Sequence, residues 1–161
     1  MNIMLRNLYR IQRTKYECFR RIKRCRNGRY YRTCQTAALL RTFDNILILT
    51  HVRPDGDCAG SCMGLYSYLK DNCPQLDVTV YLETPGSEFH YIRDIDKIQT
   101  IPDIKKEYDV FFVLDCSSLD RIEPFHSCFE NAKKTVCIDH HISNGSFADV
   151  NVVDAQASSA C

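Results

Sequence analysis

The sequence predicts an α/β fold: a mostly parallel sheet of about five strands with helices on both faces. Two observations carry this reading. Short apolar runs at Ile46–Leu49, Val110–Leu114, Thr135–Ile138 and Val150–Val153 have the length and continuity of strands buried on both sides, and Val78, Val80 and Leu82 alternate as one more. Between them lie stretches of helical spacing. Cys62, Leu65, Tyr66 and Leu69 fall at i, i+3, i+4 and i+7, as do Phe125, Cys128, Phe129 and Ala132. Strands alternating with helices imply parallel pairing through right-handed crossovers. With 161 residues, 45% of them hydrophobic, the chain can bury one sizeable core and is expected to form one domain.

Taken in order, the chain opens on a basic segment. Residues 1–34 hold eleven Lys/Arg and one acid, Glu17, for a charge of +10, while the other ten basic and nineteen acidic residues give −9 and so the net +1. Leu5, Leu8, Tyr9 and Tyr16 fall near helical spacing but are surrounded by arginines. The segment is read as a disordered extension outside the fold, with residues 35–161 as the folded domain. Its interleaved tyrosines and arginines also suit RNA, through phosphate contacts and stacking, and its Arg-rich, acid-poor start suits an organellar transit peptide. A short helix is expected over Thr36–Thr42, then the strand 46–49 and the helix bearing Cys62–Leu69, ended by Asn72-Cys73-Pro74. Thr84-Pro85-Gly86-Ser87 turns, and Ser87 is placed to cap a helix running through Ile95. Residues 98–104 connect to the strand 110–114, and Ser117-Ser118 can cap the turn after it. No apolar run approaches the twenty residues a membrane span needs.

The chemistry gathers where strands end. His51-Val52-Arg53-Pro54-Asp55-Gly56-Asp57-Cys58-Ala59-Gly60-Ser61 fills the turn between a strand and its helix, the place where open α/β sheets put their sites. Pro54 and Gly56 first restrict and then free the backbone, so that Asp55 and Asp57 can point different ways. The strand 110–114 ends in Asp115, and the strand 135–138 ends in Asp139-His140-His141. If these ends lie side by side, the crowded carboxylates and imidazoles need a cation to neutralise them, and a divalent metal is the simplest answer.

These motifs, His51 through Ser61, Leu114-Asp115 and Asp139-His140-His141, resemble those of the DHH phosphoesterase superfamily. Within it they are most similar to the bacterial enzymes that degrade nanoRNA and dephosphorylate adenosine 3′,5′-bisphosphate. The likeness runs from about Thr36 to the last residue. It implies a Rossmann-like domain with two divalent cations, Mn²⁺ preferred and Mg²⁺ as the other option, bridged by Asp115. His51 and Asp55 would complete one site, Asp57 and His140 the other. His141 would contact the scissile phosphate, and Asp139 would orient a ligand. Carboxylate and imidazole donors suit those ions.

The resemblance further implies a phosphoesterase acting on short RNA or nucleotides, with pyro- or polyphosphate as a related substrate and a non-catalytic nucleic-acid-binding fragment as the alternative. It implies another aspartate downstream and a glycine-rich substrate domain, so the chain is expected to be weakly active or inactive as it stands. Oligomeric state is open, a homodimer being one option for a longer form. Ten cysteines without zinc spacing fit a reducing cytoplasm rather than a disulfide framework. Cys58 is set aside as a ligand because its neighbours are oxygen donors, His90 and His126 because they lie away from the motifs, and Asp154 because the resemblance puts it at the start of a connector.

Overall fold

A computed structural model describes residues 29–161, and the expected basic extension falls mostly outside them. Five strands, β1 (Asn45–Leu49), β2 (Asp77–Tyr81), β3 (Val110–Leu114), β4 (Lys134–Asp139) and β5 (Val150–Val153), form one sheet in the order β2-β1-β3-β4-β5. Every pairing is parallel. Helix α1 (Arg29–Thr42) precedes β1, α2 (Gly56–Asn72) joins β1 to β2, and α3 (His126–Asn131) lies between β3 and β4.

Both faces of the sheet are covered, which is why its strands read as continuous apolar runs. Successive side chains of a strand point to opposite faces. Ile46, Ile48, Phe112 and Val136 pack with Leu40 of α1 and with Cys62, Leu65 and Leu69 of α2. Leu47, Leu49, Phe111 and Val113 meet Ile122, Phe125 and Phe129 around α3, where Phe111 and Phe129 stack edge to face at 5.3 Å. Phe111 and Phe112 are wholly buried, and truncating either to alanine would cost about 3–5 kcal/mol.

The order of the strands decides where a site can form. From β1 the chain crosses to β2 on one side, and from β2 it returns to β3 on the other side of β1. The loops leaving β1 and β3 therefore diverge, and a crevice opens between them at the carboxyl ends of the two central strands.

Three local expectations change. The helix expected from Ser87 to Ile95 is two separate 3₁₀ turns, Ser87–Phe89 and Ile95–Lys97, neither with a buried residue. Asp94 between them adopts a left-handed backbone (φ 61°), which a continuous helix cannot contain. The helix expected over 36–42 begins instead at Arg29, and Arg32 Nη1 donates to the Asn151 carbonyl on the edge strand β5 (2.6 Å). Ser118 stands at the N-cap of the turn Leu119–Arg121, but its side chain makes no capping bond.

At the opposite end of the sheet from the crevice, Asp109 ties strand starts together. Its Oδ2 accepts from the Asp44 and Asn45 amides (3.2 Å each), and Lys133 Nζ lies 2.6 Å from Oδ1. The Lys133 ammonium and the Asn45 N–H hold its carboxyl below the usual carboxylate range. A lowered carboxylate pKa contributes stability above the unfolded value of about 3.9 and loses it as pH falls through the folded one. Asp109→Ala should therefore cost about 1–2 kcal/mol in urea unfolding at pH 7, and the gap from the parent chain should close below about pH 4.

Candidate metal centre

The turn after β1 begins with His51, which is buried. Its Nδ1 lies 2.7 Å from the Val52 carbonyl, so Nδ1 carries the proton and Nε2 keeps its lone pair. Two residues on, Arg53 adopts φ 59°, reversing the chain toward α2. Asp55 is the N-cap of that helix, and its Oδ1 accepts from the Asp57 and Cys58 amides at 3.0 and 3.1 Å. The Cys58 N–H in particular holds Asp55 below the usual carboxylate range.

Asp115 follows β3 directly. Its amide extends the ladder to the Ile138 carbonyl (3.0 Å), yet its own backbone is left-handed (φ 52°), a conformation that Asp tolerates better than most residues. The side chain is 3% exposed, and Oδ1 has no hydrogen-bond partner among the described residues. A buried, unsatisfied carboxylate oxygen is costly, and this one faces the His pair: His140 Nε2 lies 3.4 Å away and His141 Nδ1 3.7 Å away. Burial above all, and then the neighbouring Asp57, raises the Asp115 pKa.

The triplet at the end of β4 divides its work. Asp139 is fully buried; its Oδ1 accepts from the His140 amide (2.8 Å) and faces His141 Nδ1 (2.7 Å), and its Oδ2 accepts from Asn144 Nδ2 (2.7 Å). That bond to Asp139 raises the His141 pKa. His140 instead sets Nδ1 against the Ala157 carbonyl (3.3 Å) and turns Nε2 toward Asp115 and toward Asp57 Oδ2 (3.5 Å). Asp57 is well occupied already, accepting from the Ala160 and Cys161 amides (2.8 and 2.9 Å) and from Ser61 Oγ (3.3 Å).

Two donor groups result, each with its ligand atoms mutually within 4.8 Å. One is His51, Asp55, Cys58 and Asp115; the other is Asp115, His140 and His141. Asp115 is common to both. Of the residues singled out in the sequence, His51, Asp55, Asp115, His140 and His141 enter these groups, Asp57 borders the second, and Asp139 supports it. Asp154 enters neither group: its amide donates to the Asp139 carbonyl (3.0 Å), and its Oδ1 accepts from the Gln156 amide as the turn after β5 begins. His126 pairs with Glu130 on the surface of α3. Cys58 is the residue that sequence reasoning passed over. It sits one helical turn from Asp55, spacing that could have marked it.

The residues fit divalent metal. Both His51 and His140 bind a backbone carbonyl through Nδ1 and leave Nε2 for the cluster, the arrangement of metal-ligating histidines. The Asp115 oxygen that has no hydrogen-bond partner among the described residues is one that a cation would satisfy. A carboxylate whose folded pKa is raised penalises folding at neutral pH, so Asp115→Asn should raise the melting temperature of the metal-free chain, by about 2–4 °C for each kcal/mol gained. A divalent cation should raise the melting temperature of the parent chain and leave that of Asp115→Asn unchanged, a crossover that differential scanning calorimetry would display.

Comparison with known proteins gives the same picture. Residues 45–161 match the family model described as the DHH family, N-terminal domain. A protein of Streptococcus mutans named "Probable bifunctional oligoribonuclease and PAP phosphatase NrnA" is 31% identical over 127 residues, 76% of this chain and 38% of its own length. The Bacillus subtilis protein named "Bifunctional oligoribonuclease and PAP phosphatase NrnA" is 27% identical over 124 residues, again 38% of its length. The chain thus spans less than two-fifths of these relatives. Among solved structures, an exopolyphosphatase-related protein from Bacteroides fragilis superposes with a TM-score of 0.70 at 26% identity, covering 78% of this chain and 39% of that one. With its strand-end motifs and this match, the chain belongs to the DHH family.

Proposed function

We propose that this chain is a metal-dependent phosphoesterase domain that hydrolyses phosphodiester and phosphomonoester bonds in short oligoribonucleotides and nucleotides such as adenosine 3′,5′-bisphosphate. The observation that carries the reading is Asp115, one buried carboxylate shared by two donor groups at the crevice between β1 and β3. The names of the Streptococcus and Bacillus relatives support the substrate class. His51, Asp55 and Asp115 would hold one cation, and Asp115, Asp57 and His140 the second, with Mn²⁺ favoured over Mg²⁺ by the imidazoles. When bound, two such ions would lower the pKa of a water and stabilise the oxygens of an in-line displacement.

The chain's own residues supply the rest. Asp139 engages His141 Nδ1 and raises the imidazole's pKa, which favours the doubly protonated ring with an N–H at Nε2. That N–H is the donor left to face a phosphate oxygen as its charge grows in the transition state. Asn144, bound to the other oxygen of Asp139, fixes the carboxylate so that the imidazole does not swing.

A second reading, hydrolysis of pyro- or polyphosphate, is favoured by the exopolyphosphatase-related structure. Release of mononucleotide from a labelled RNA dimer, beside phosphate release from the bisphosphate nucleotide and from polyphosphate, separates the two. With Mn²⁺ the 161-residue chain should act on the RNA dimer slowly, and fusion to the remainder of the Bacillus relative should accelerate it, each 1.36 kcal/mol of positioning being about tenfold in rate. In the fusion, His141→Ala should lower kcat by about 10²–10³. Polyphosphate turnover without RNA cleavage would favour the second reading. A fusion that binds RNA and cleaves none of the three would leave a non-catalytic binding domain.

A further inference from the structure

We infer that Cys58 is a fourth donor in the group of His51, Asp55 and Asp115, and that it makes this position selective for a thiophilic divalent cation, Zn²⁺ above Mn²⁺. The inference rests on the metal-centre reading above and adds a ligand of different chemistry to it. Cys58 Sγ lies 3.0 Å from His51 Nε2 and 3.3 Å from Asp115 Oδ2, and all four donors fall within 4.8 Å of one another. Zinc bonds of about 2.0–2.3 Å to N, O and S in a tetrahedron put neighbouring donors roughly 3.3–3.7 Å apart. The sulfur's two contacts, at 3.0 and 3.3 Å, stand just below and at the edge of that range.

Independent of the sulfur, the shared ligand Asp115 points to a bound cation. It is 2% exposed; its Oδ2 faces Cys58, while Oδ1, which has no hydrogen-bond partner among the described residues, turns to His140 and His141. The thiol's setting points the same way. Cys58 has no solvent exposure, so its sulfur is committed to the cluster. It lies in the first turn of a 17-residue helix, which holds its sulfur against His51 and Asp115. The Thr50 hydroxyl, itself buried, donates to Sγ at 2.9 Å and would continue to do so when the sulfur is charged.

On binding, the S–H bond gives its proton to solvent and the sulfur lone pair goes to the cation, so one proton leaves per ion. Four protein donors fill a tetrahedral zinc, as in a closed structural site, whereas an ion that disfavours sulfur uses the three N and O donors and keeps positions for water. The residue after Asp57 would thus govern which ion occupies the site.

Titrating Co²⁺ into the metal-free 161-residue chain, without oxygen, should give a near-ultraviolet thiolate-to-cobalt band that is absent from Cys58→Ala and Cys58→Ser. Zn²⁺ affinity should fall at least about a hundredfold in Cys58→Ala while Mn²⁺ affinity changes less than about tenfold; a merely supporting contact would cost both ions alike, about 10–100-fold. Should the variants unfold, X-ray absorption on the zinc-loaded parent chain decides, with one sulfur expected at about 2.3 Å. Cobalt bound with no thiolate band, or a zinc shell of N and O alone, overturns the role of Cys58 and leaves the metal centre standing. No binding of any of the three ions overturns both.

Discussion

The centre depends on one buried negative charge. Asp115 stands at the end of the middle strand, in a left-handed conformation, with a carboxylate oxygen that has no hydrogen-bond partner among the described residues. Each such feature costs on the order of 1–3 kcal/mol. The molecule sustains them because the sheet beneath is complete: β3 is buried along its whole length and paired on both sides, and the Asp115 amide still bonds across to β4. The local conformation is over-determined by its surroundings, so strain concentrates on the side chain that both donor groups share.

Around that charge, the roles of the three histidines follow from what each Nδ1 touches. His51 and His140 face carbonyls through Nδ1, which leaves Nε2 turned to the cluster. His141 faces a fully buried carboxylate, which favours its charged form. Two adjacent residues of one motif thereby turn to different groups, His140 to Asp115 and Asp57 and His141 to Asp139. The backbone does the sorting, since β4 ends at Asp139 and the two rings leave in different directions.

Much of this was legible in the sequence. The continuous apolar runs marked the strands because both faces of a parallel sheet are covered, and Val150–Val153 was bounded to the residue. Placing His51, Asp55, Asp115 and the triplet at strand ends required only the alternation of elements. The strand order was not legible, because no local pattern records which strands are neighbours, and it is the order that joins the loops of β1 and β3. Composition misled at Arg29–Cys34, where a run of charge concealed the start of α1. Turn chemistry misled at Ser87, where a left-handed Asp94 breaks what reads as one helix. Cys58 was judged by the character of its neighbours; what decides its contacts is that the first turn of α2 points it inward.

Wholly parallel pairing has a kinetic side. Among the described residues no two strands are joined by a hairpin, and long stretches of chain separate the turn holding positions 51 and 55 from position 115, and position 115 from position 140. None of them can converge until β1, β3 and β4 have docked, so loop-closure entropy is lost before any ligand geometry exists. The centre is therefore among the last features to assemble on the folding path. Cation uptake becomes a gauge of the entire sheet: loosening a strand far from the crevice would register as weakened apparent affinity, though no donor had been touched.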